Sequence, residues 1–380
     1  MTTRGRKNKR REGSIIIYLE NDPLKRYFNS YIYSEKFPFN KIRCIGITGS
    51  CGKSSTTLYL YYFLKKMNYD ICYIGTHKIL YKDKCIETKN TTMEINKLYE
   101  IFINNDINPK YIVMEVSSIG INEARINCFR FNYIGLTNLG RDHLDYHLNI
   151  TNYHNIKKSF IENALIKRKN VFIPYSLKKE FKRKYTFYKD NKKIRKSIEC
   201  LEFNYANLSL VYSILRKMKF SSKTIITNLK TINLENGRGE IIKQNNRKII
   251  IDYAHHVESF EKILDDNNYD KVVVFGCGGN RDKGKRKIIG SIASKYCKYV
   301  IITKDNSRYE NIDEIINDIT CDIKGYKIIK DRYEAIKYAI TTYPFKDIYI
   351  LGKGDETYIE ENNLKIPFND KKCVLDIINK

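Results

Sequence analysis

The sequence predicts an α/β protein built as two successive domains, the first with a mainly parallel sheet. Three observations carry this. Short apolar runs alternate with helix-forming stretches from residue 41 to about residue 140. A glycine-rich turn, Gly46-Ile-Thr-Gly-Ser-Cys-Gly-Lys-Ser-Ser-Thr-Thr57, joins the first apolar run to the first helix-forming stretch. After Asn236-Gly-Arg-Gly239 a second alternating series begins. Strand–helix alternation of this kind gives βαβ units and a parallel sheet, with ligands at the C-terminal strand ends. The fold expected is therefore a central P-loop ATPase-type domain plus a C-terminal Rossmann-like α/β domain.

In order, the first strands are expected at Arg43–Thr48, Ile71–Ile74, Tyr111–Val116 and Tyr133–Leu136, with helices at Lys53–Met67 and Met93–Asn104. Leu58, Tyr62 and Leu64 mark the apolar positions of the first helix. Asn204–Lys217 and Ser222–Ile232 read as helices. Lys248–Asp252, Lys271–Phe275, Tyr299–Thr303 and Ile348–Leu351 read as the strands of the second series. The glycines at 237 and 239 give the boundary, so the domains expected are residues 1–40 (a basic arm), 41–236 and 237–380.

The turn between the first strand and helix has the character of a phosphate-binding loop. Gly49 and Gly52 free the backbone to turn N–H groups inward at the positive end of a helix dipole. Lys53 is placed to reach the β/γ-phosphates and Ser54 to offer its hydroxyl to Mg²⁺, with Ser55 beside it. Ile47 stands where the strict pattern has its first glycine, so the loop is a variant. A nucleoside triphosphate is the ligand this predicts.

Composition narrows the rest. With 380 residues and a 42% hydrophobic fraction the chain has ample core-forming material. It contains no run of eighteen apolar residues, which argues against a membrane-spanning helix. No signal-type apolar core follows the basic N-terminus, so a cytoplasmic protein is expected. Ten cysteines occur without a CxxC pair, the usage of reduced thiols. The net charge of +26 comes from lysines scattered along the chain, as an A+T-rich coding sequence produces, and not from one basic face. Nucleic acid is not the expected partner. The cluster Arg4-Gly-Arg-Lys-Asn-Lys-Arg-Arg11 reads as a solvated arm.

Two further segments carry candidate chemistry. Tyr111-Ile-Val-Met-Glu-Val-Ser-Ser118 delivers Glu115 and Ser117 to the sheet edge that holds the glycine-rich turn. Thr137-Asn-Leu-Gly-Arg-Asp-His-Leu-Asp-Tyr-His147 delivers His143 and further polar groups after another strand. A carboxylate beside phosphate oxygens is the usual environment of Mg²⁺.

Together these segments resemble the Mur ligases, and within them the UDP-N-acetylmuramoyl-tripeptide synthetase (MurE) branch. Asp252-Tyr-Ala-His255, Phe275-Gly-Cys-Gly-Gly-Asn-Arg-Asp-Lys-Gly-Lys-Arg286, Asp305-Asn-Ser-Arg308 and Gly352-Lys-Gly-Asp-Glu356 extend the resemblance in family order to the C-terminus. It implies ATP- and Mg²⁺-dependent amide-bond formation through an acyl phosphate, in peptidoglycan precursor synthesis. Lys53, Glu115, His143 and Lys157 would be the catalytic set, with Ser54, Glu115, His143 and a carbamylated Lys157 at the metal. ATP would meet Gly49, Gly52, Lys53, Ser54, Ser55, Asn207 (at adenine), Arg238, Asp252 and His255. Thr91, Thr92, Ser117 and Arg125 would touch the UDP-muramyl-peptide acceptor. Arg281, Asp305, Asn306, Arg308, Gly352 and Glu356 would bind the amino acid, with Arg308 reading the distal carboxylate of meso-diaminopimelate.

Several positions depart from the branch. Ser307 replaces a proline, Ile119 a histidine, Asp355 a frequent histidine, and His256-Val257 a Thr-Pro pair. Residues 1–40 are shorter than the domain with which these enzymes grip UDP. The expectation is a monomer with either an altered acceptor or a partner that supplies the UDP contacts. A ligase on another carboxylate, in the manner of folylpolyglutamate synthase, and a non-catalytic nucleotide-binding protein are the alternatives.

Overall fold

Strand β1 (Arg43–Thr48) lies at the middle of the first sheet, and its neighbours explain the placement of everything functional around it. The other strands are β2 (Ile71–Gly75), β3 (Lys78–Tyr81), β4 (Lys84–Glu87), β5 (Tyr111–Glu115), β6 (Phe131–Leu136), β7 (Val171–Pro174) and β8 (Thr186–Tyr188). Their order is β4-β3-β2-β5-β1-β6-β7-β8. The β2–β3 and β3–β4 pairings are antiparallel, and the other pairings among the described strands of this sheet are parallel. In the parallel register Ile47 pairs with Glu115 and Thr48 with Leu136. Three strands thus end at one level, and the loops that follow them meet there. The computed structural model describes residue 32 and residues 37–379, apart from 77, 89, 165, 167–169, 182–184, 233, 235 and 236. The basic cluster at residues 4–11 lies outside the described residues.

The helix Lys53–Lys66 was expected to bury one stripe, but nearly its whole length is covered from Ser55 to Leu64, with Tyr62 the half-buried exception. One side meets β1, β2 and β5, and the helix Ser222–Leu229 meets it as well. A helix clasped from two directions loses the one-sided pattern that sequence periodicity detects.

The second sheet comprises β9 (Arg238–Gln244), β10 (Arg247–Asp252), β11 (Val272–Phe275), β12 (Tyr299–Ile302), β13 (Tyr326–Ile328) and β14 (Ile348–Leu351). Their order is β13-β12-β11-β14-β10-β9, parallel except for β9. Ile249, Ile250 and Ile251 are all fully buried, as expected where helices cover both faces. A separate hairpin joins β15 (Tyr358–Glu361) to β16 (Leu364–Pro367). The β9–β10 and β15–β16 turns are both Asn-Asn pairs, at residues 245–246 and 362–363, with positive φ at all four positions. That is the conformation of a type I′ hairpin turn, which asparagine tolerates better than most residues.

The chain divides into two compact units. The first takes residues up to Leu139, Tyr146–Asn191 and Ala206–Leu229; the second takes Gly140–Asp145, Lys192–Tyr205 and Lys230–Lys380.

Candidate active site

In the first unit the glycine-rich loop closes tightly against β6. A Cβ on Gly49, at φ +145°, would sit 1.9 Å from the Thr137 hydroxyl, and one on Gly52, at φ +80°, 2.3 Å from the Asn207 carboxamide. No side chain fits at either position, so both glycines are required by space as well as by backbone angle. Asn138 staples the loop: its Oδ1 accepts from the Ser50 and Cys51 N–H groups (3.2 and 3.0 Å) and its Nδ2 donates to the Cys51 carbonyl at 3.0 Å. Asn207 lies beneath Gly52, so in this structure its neighbour is the loop.

Four predicted residues converge on this loop. Lys53 folds its ammonium back onto the carbonyls of Gly49 and Ser50, each at 2.9 Å. Ser54 donates its hydroxyl to Glu115 Oε2 at 2.8 Å, and Ser55 is buried behind it. Glu115 is fully buried at the end of β5. Its Oε1 accepts from the Tyr73 hydroxyl at 2.8 Å and the Thr76 N–H at 3.0 Å, while its Oε2 takes the Thr76 hydroxyl at 3.1 Å besides Ser54. Four donors fix the plane of this carboxyl group. A serine hydroxyl and a carboxylate oxygen at the start of a phosphate loop are hard oxygen donors of the kind Mg²⁺ selects.

Lys157 is 1% exposed, which is unusual for a lysine on a helix. The helix Ile150–Asn163 sets Tyr153 and Lys157 one turn apart on one face, and both reach the loop. Tyr153 donates to the Ser50 hydroxyl at 3.0 Å; Lys157 donates to the Gly49 carbonyl at 3.0 Å and lies 4.6 Å from the Tyr153 ring centre.

The residues expected to meet the acceptor are held by one another. Thr91 shares a hydrogen bond with Thr76 at 3.1 Å. Thr92 is buried, donating to the Glu115 carbonyl and accepting from the Ser117 N–H. Ser117 caps the short helix Ser118–Asn122 through the Gly120 N–H at 3.0 Å. Arg125 pairs with Glu123 and donates to the Thr92 carbonyl at 2.8 Å.

His143 falls in the second unit, at φ +50° and beside the Asp142 carboxylate at 3.3 Å. Asp142 also faces His256 at 3.3 Å, and Glu258 accepts from the Arg141 N–H at 2.6 Å. In the same unit Arg238 lies 4.1 Å over the Tyr253 ring and 3.1 Å from Asp355. Burial pushes the Asp252 carboxyl up to about 6, against the lowering influence of Arg238 and the N–H groups of Ala254 and Gly239. Burial, with His256 and Lys285 nearby, holds His255 well below the ordinary histidine value and so neutral.

A second cluster lies at the C-terminal ends of β12 and β14. Lys353, fully buried, donates to Glu356 Oε2 at 2.6 Å and Asn306 Oδ1 at 3.0 Å. Asn306 returns a bond to Glu356 at 2.8 Å. Burial alone would raise the Asp305 carboxyl, but Lys353, Arg332 and the Asn306 N–H outweigh it and hold it below its ordinary range. Gly352 follows β14, its N–H on the Asp252 carbonyl at 3.1 Å. Arg308 donates to the Gly279 carbonyl at 2.7 Å and lies 3.2 Å from the Glu360 carboxylate. Arg281 is exposed.

Sequence reasoning gave no role to Tyr73, Thr76, Asn138, Tyr153, Lys353 or Glu360. Asn138 and Lys353 both stood inside segments the sequence singled out, Thr137–His147 and Gly352–Glu356, so both signals were available. Nothing in the sequence marks Tyr73 or Glu360.

Fold and site together define a nucleotide-loop protein with a second α/β unit that carries a charged, half-buried cluster at its strand ends. Residues 47–232 match the Mur ligase middle domain and residues 237–354 the Mur ligase, glutamate ligase domain. The chain belongs to the Mur ligase family, whose members are ATP-dependent ligases that form amide bonds. It is similar to UDP-N-acetylmuramoyl-L-alanyl-D-glutamate--2,6-diaminopimelate ligase of Caldanaerobacter subterraneus, 31% identical over 90% of this chain and 79% of the relative. The ligase of the same name from Wigglesworthia glossinidia brevipalpis is 33% identical over 96% of this chain and 84% of its own length. Mycobacterium tuberculosis folylpolyglutamate synthase shares the fold, with a TM-score of 0.67 at 14% identity over 89% of this chain and 95% of that one. No described helix is long and apolar enough to cross a membrane.

Proposed function

We propose that this chain is an ATP-dependent ligase that joins a diaminopimelate-type amino acid to the carboxylate of a UDP-muramyl-dipeptide-like acceptor. The observation that carries this reading is the convergence of Lys53, Ser54, Glu115 and Lys157 on one loop, in a chain of this family. In the reaction an acceptor carboxylate oxygen bonds to the γ-phosphorus of ATP, and ADP leaves. The amino-acid nitrogen then bonds to the acyl carbon, the C–O bond to phosphate breaks, and the ammonium loses a proton.

Phosphoryl transfer needs positioning and charge neutralisation more than covalent chemistry. Lys53 supplies a cation that trades two backbone carbonyls for phosphate oxygens. Ser54 and Glu115 would hold Mg²⁺, which neutralises charge on the phosphates. Lys157 would act as a carbamate: its neutral amine adds to CO₂ and releases a proton, giving N–H and carboxylate. The remaining N–H keeps a donor for Gly49, and the new anion supplies oxygen ligands that an ammonium cannot. The resemblance further gives His143 to the metal, Asn207, Arg238, Asp252 and His255 to ATP, and Thr91, Thr92, Ser117 and Arg125 to the acceptor. Arg281, Asp305, Asn306, Arg308, Gly352 and Glu356 take the amino acid.

The test is phosphate release from ATP by the full chain. Release that requires both a UDP-muramyl dipeptide and diaminopimelate supports the proposal. Release that instead follows a folyl acceptor and glutamate replaces the substrate, and no release under either condition overturns the enzyme reading.

A further inference from the structure

The amino-acid cluster contains a carboxylate that competes with the substrate. Glu360 is the third residue of β15, and its backbone is stitched to the Asp305–Arg308 segment at two points. Its N–H donates to Asn306 Oδ1 at 2.9 Å, and its carbonyl accepts from the Arg308 N–H at 3.0 Å. Arg308 returns its own carbonyl to the Asn362 N–H at 2.7 Å. These bonds fix Glu360 beside Arg308, and its Oε2 lies 3.2 Å from the guanidinium Nε. The neighbouring Nη1 is spent on the Gly279 carbonyl at 2.7 Å.

A guanidinium holds a carboxylate bidentately along one N–H edge. The Glu360 carboxylate stands at the Nε end of one such edge of Arg308. An incoming carboxylate must either displace Glu360 or bind alongside it, next to a like charge. The proposed amino-acid site, with Lys353 and Glu360 added, carries three formal negative charges, on Asp305, Glu356 and Glu360, against three positive ones, on Arg281, Arg308 and Lys353. Glu360 therefore cancels a net positive charge that would otherwise favour a distal carboxylate.

We propose that Glu360 is a specificity-determining residue that masks Arg308 and lowers the preference for an amino acid with a distal carboxylate over one with a distal ammonium alone. This rests on the proposal that the cluster binds the incoming amino acid. Both partners are about one-quarter exposed, with side-chain exposures of 23% and 27%, so the effect is moderate.

The experiment measures dissociation constants for diaminopimelate and lysine by calorimetry on the full chain with ADP and Mg²⁺. Wild type, Glu360→Gln, Arg308→Ala and the double variant are compared. Glu360→Gln should raise the diaminopimelate-to-lysine affinity ratio about three- to tenfold, and the rise should disappear in the Arg308→Ala background. An unchanged ratio in a variant with wild-type melting temperature overturns the inference, as does a rise that persists without Arg308. Phosphate release on the same preparations separates the two levels. A ratio that shifts without any turnover overturns the ligase reading alone; turnover with an unmoved ratio overturns the role of Glu360 alone.

Discussion

The phosphate loop of the first unit and the charged cluster of the second hold their side chains by opposite means. Around the loop, partners are mostly neutral: Lys53 and Lys157 rest on backbone carbonyls, and Glu115 on two hydroxyls, a phenol and an N–H. In the cluster, ions hold ions: Lys353 meets Glu356 and Arg308 meets Glu360. Neutral partners can be exchanged for a charged ligand with net gain, because no ion pair has to be broken. Paired ions must give up a partner first. The first arrangement should therefore respond steeply to loss of a single charge, and the second more gently.

The steepest response is expected at Lys53. Lys53→Ala removes the only loop side chain that can shed two carbonyls for phosphate oxygens, and its helix position is otherwise well suited to alanine. Turnover should fall about 10²–10³-fold with the melting temperature unchanged. Near-normal ATP turnover would break the comparison at its first member.

Lys157 sharpens it. Lys157→Ala leaves a cavity beside Tyr153 and takes away the amine that CO₂ would modify. Activity should fall about 10- to 100-fold, and millimolar short carboxylates should restore part of it by supplying the missing anion. Loss of activity without any rescue would point to a packing role for the buried ammonium.

The two regions also differ in how far the sequence revealed them. The loop was legible because Gly49, Gly52, Lys53 and Ser54 fall within one six-residue stretch and each is needed for a local reason. The parallel strands β1, β2, β5, β6, β10, β11, β12 and β14 were legible as apolar runs bounded by polar ones, whereas the parallel β7, β8 and β13 were not expected. The hairpins β3–β4 and β15–β16 were not, since Lys84-Cys-Ile-Glu87 and Leu364-Lys-Ile-Pro367 are largely exposed and show no clean alternation. The tightening of Glu115 by Tyr73 was also hidden, because their hydrogen bond spans 42 positions and depends on β2 lying beside β5. Glu360 was hidden for the same reason, fifty-two residues beyond Arg308. Side chains chosen by strand order leave no trace in local spacing.

A gentler response is expected at Arg308. An isolated buried guanidinium that loses its substrate carboxylate typically costs about 2–5 kcal/mol. Here Glu360 already neutralises it and water reaches both groups, so Arg308→Ala should lower kcat/KM for diaminopimelate about tenfold and leave the KM for ATP in place. Equal wild-type rates with lysine and diaminopimelate would remove the diaminopimelate assignment while keeping the ligase.

The smallest effect is one of stability, at Asp252. Burial raises its carboxyl to about 6 in the folded chain against an ordinary 3.8. Between about pH 4 and pH 6 the folded state then binds more protons than the unfolded state, so stability falls as pH rises through that window. Above pH 6 the full cost of keeping a buried carboxylate is present; below about pH 4 it has vanished. The nearby Arg238 offsets only part of it. Asp252→Asn keeps an oxygen to accept from the Ala254 N–H, which now holds Asp252 Oδ1 at 2.7 Å, and removes the charge. The variant should therefore be more stable than wild type by about 1–3 kcal/mol at pH 8, with the gap closing toward pH 4. Urea unfolding followed at both pH values reads this directly. A gap independent of pH, or a wild type that is the more stable at pH 8, would show that Asp252 is held as an anion by its neighbours and that ion pairing extends throughout the second unit.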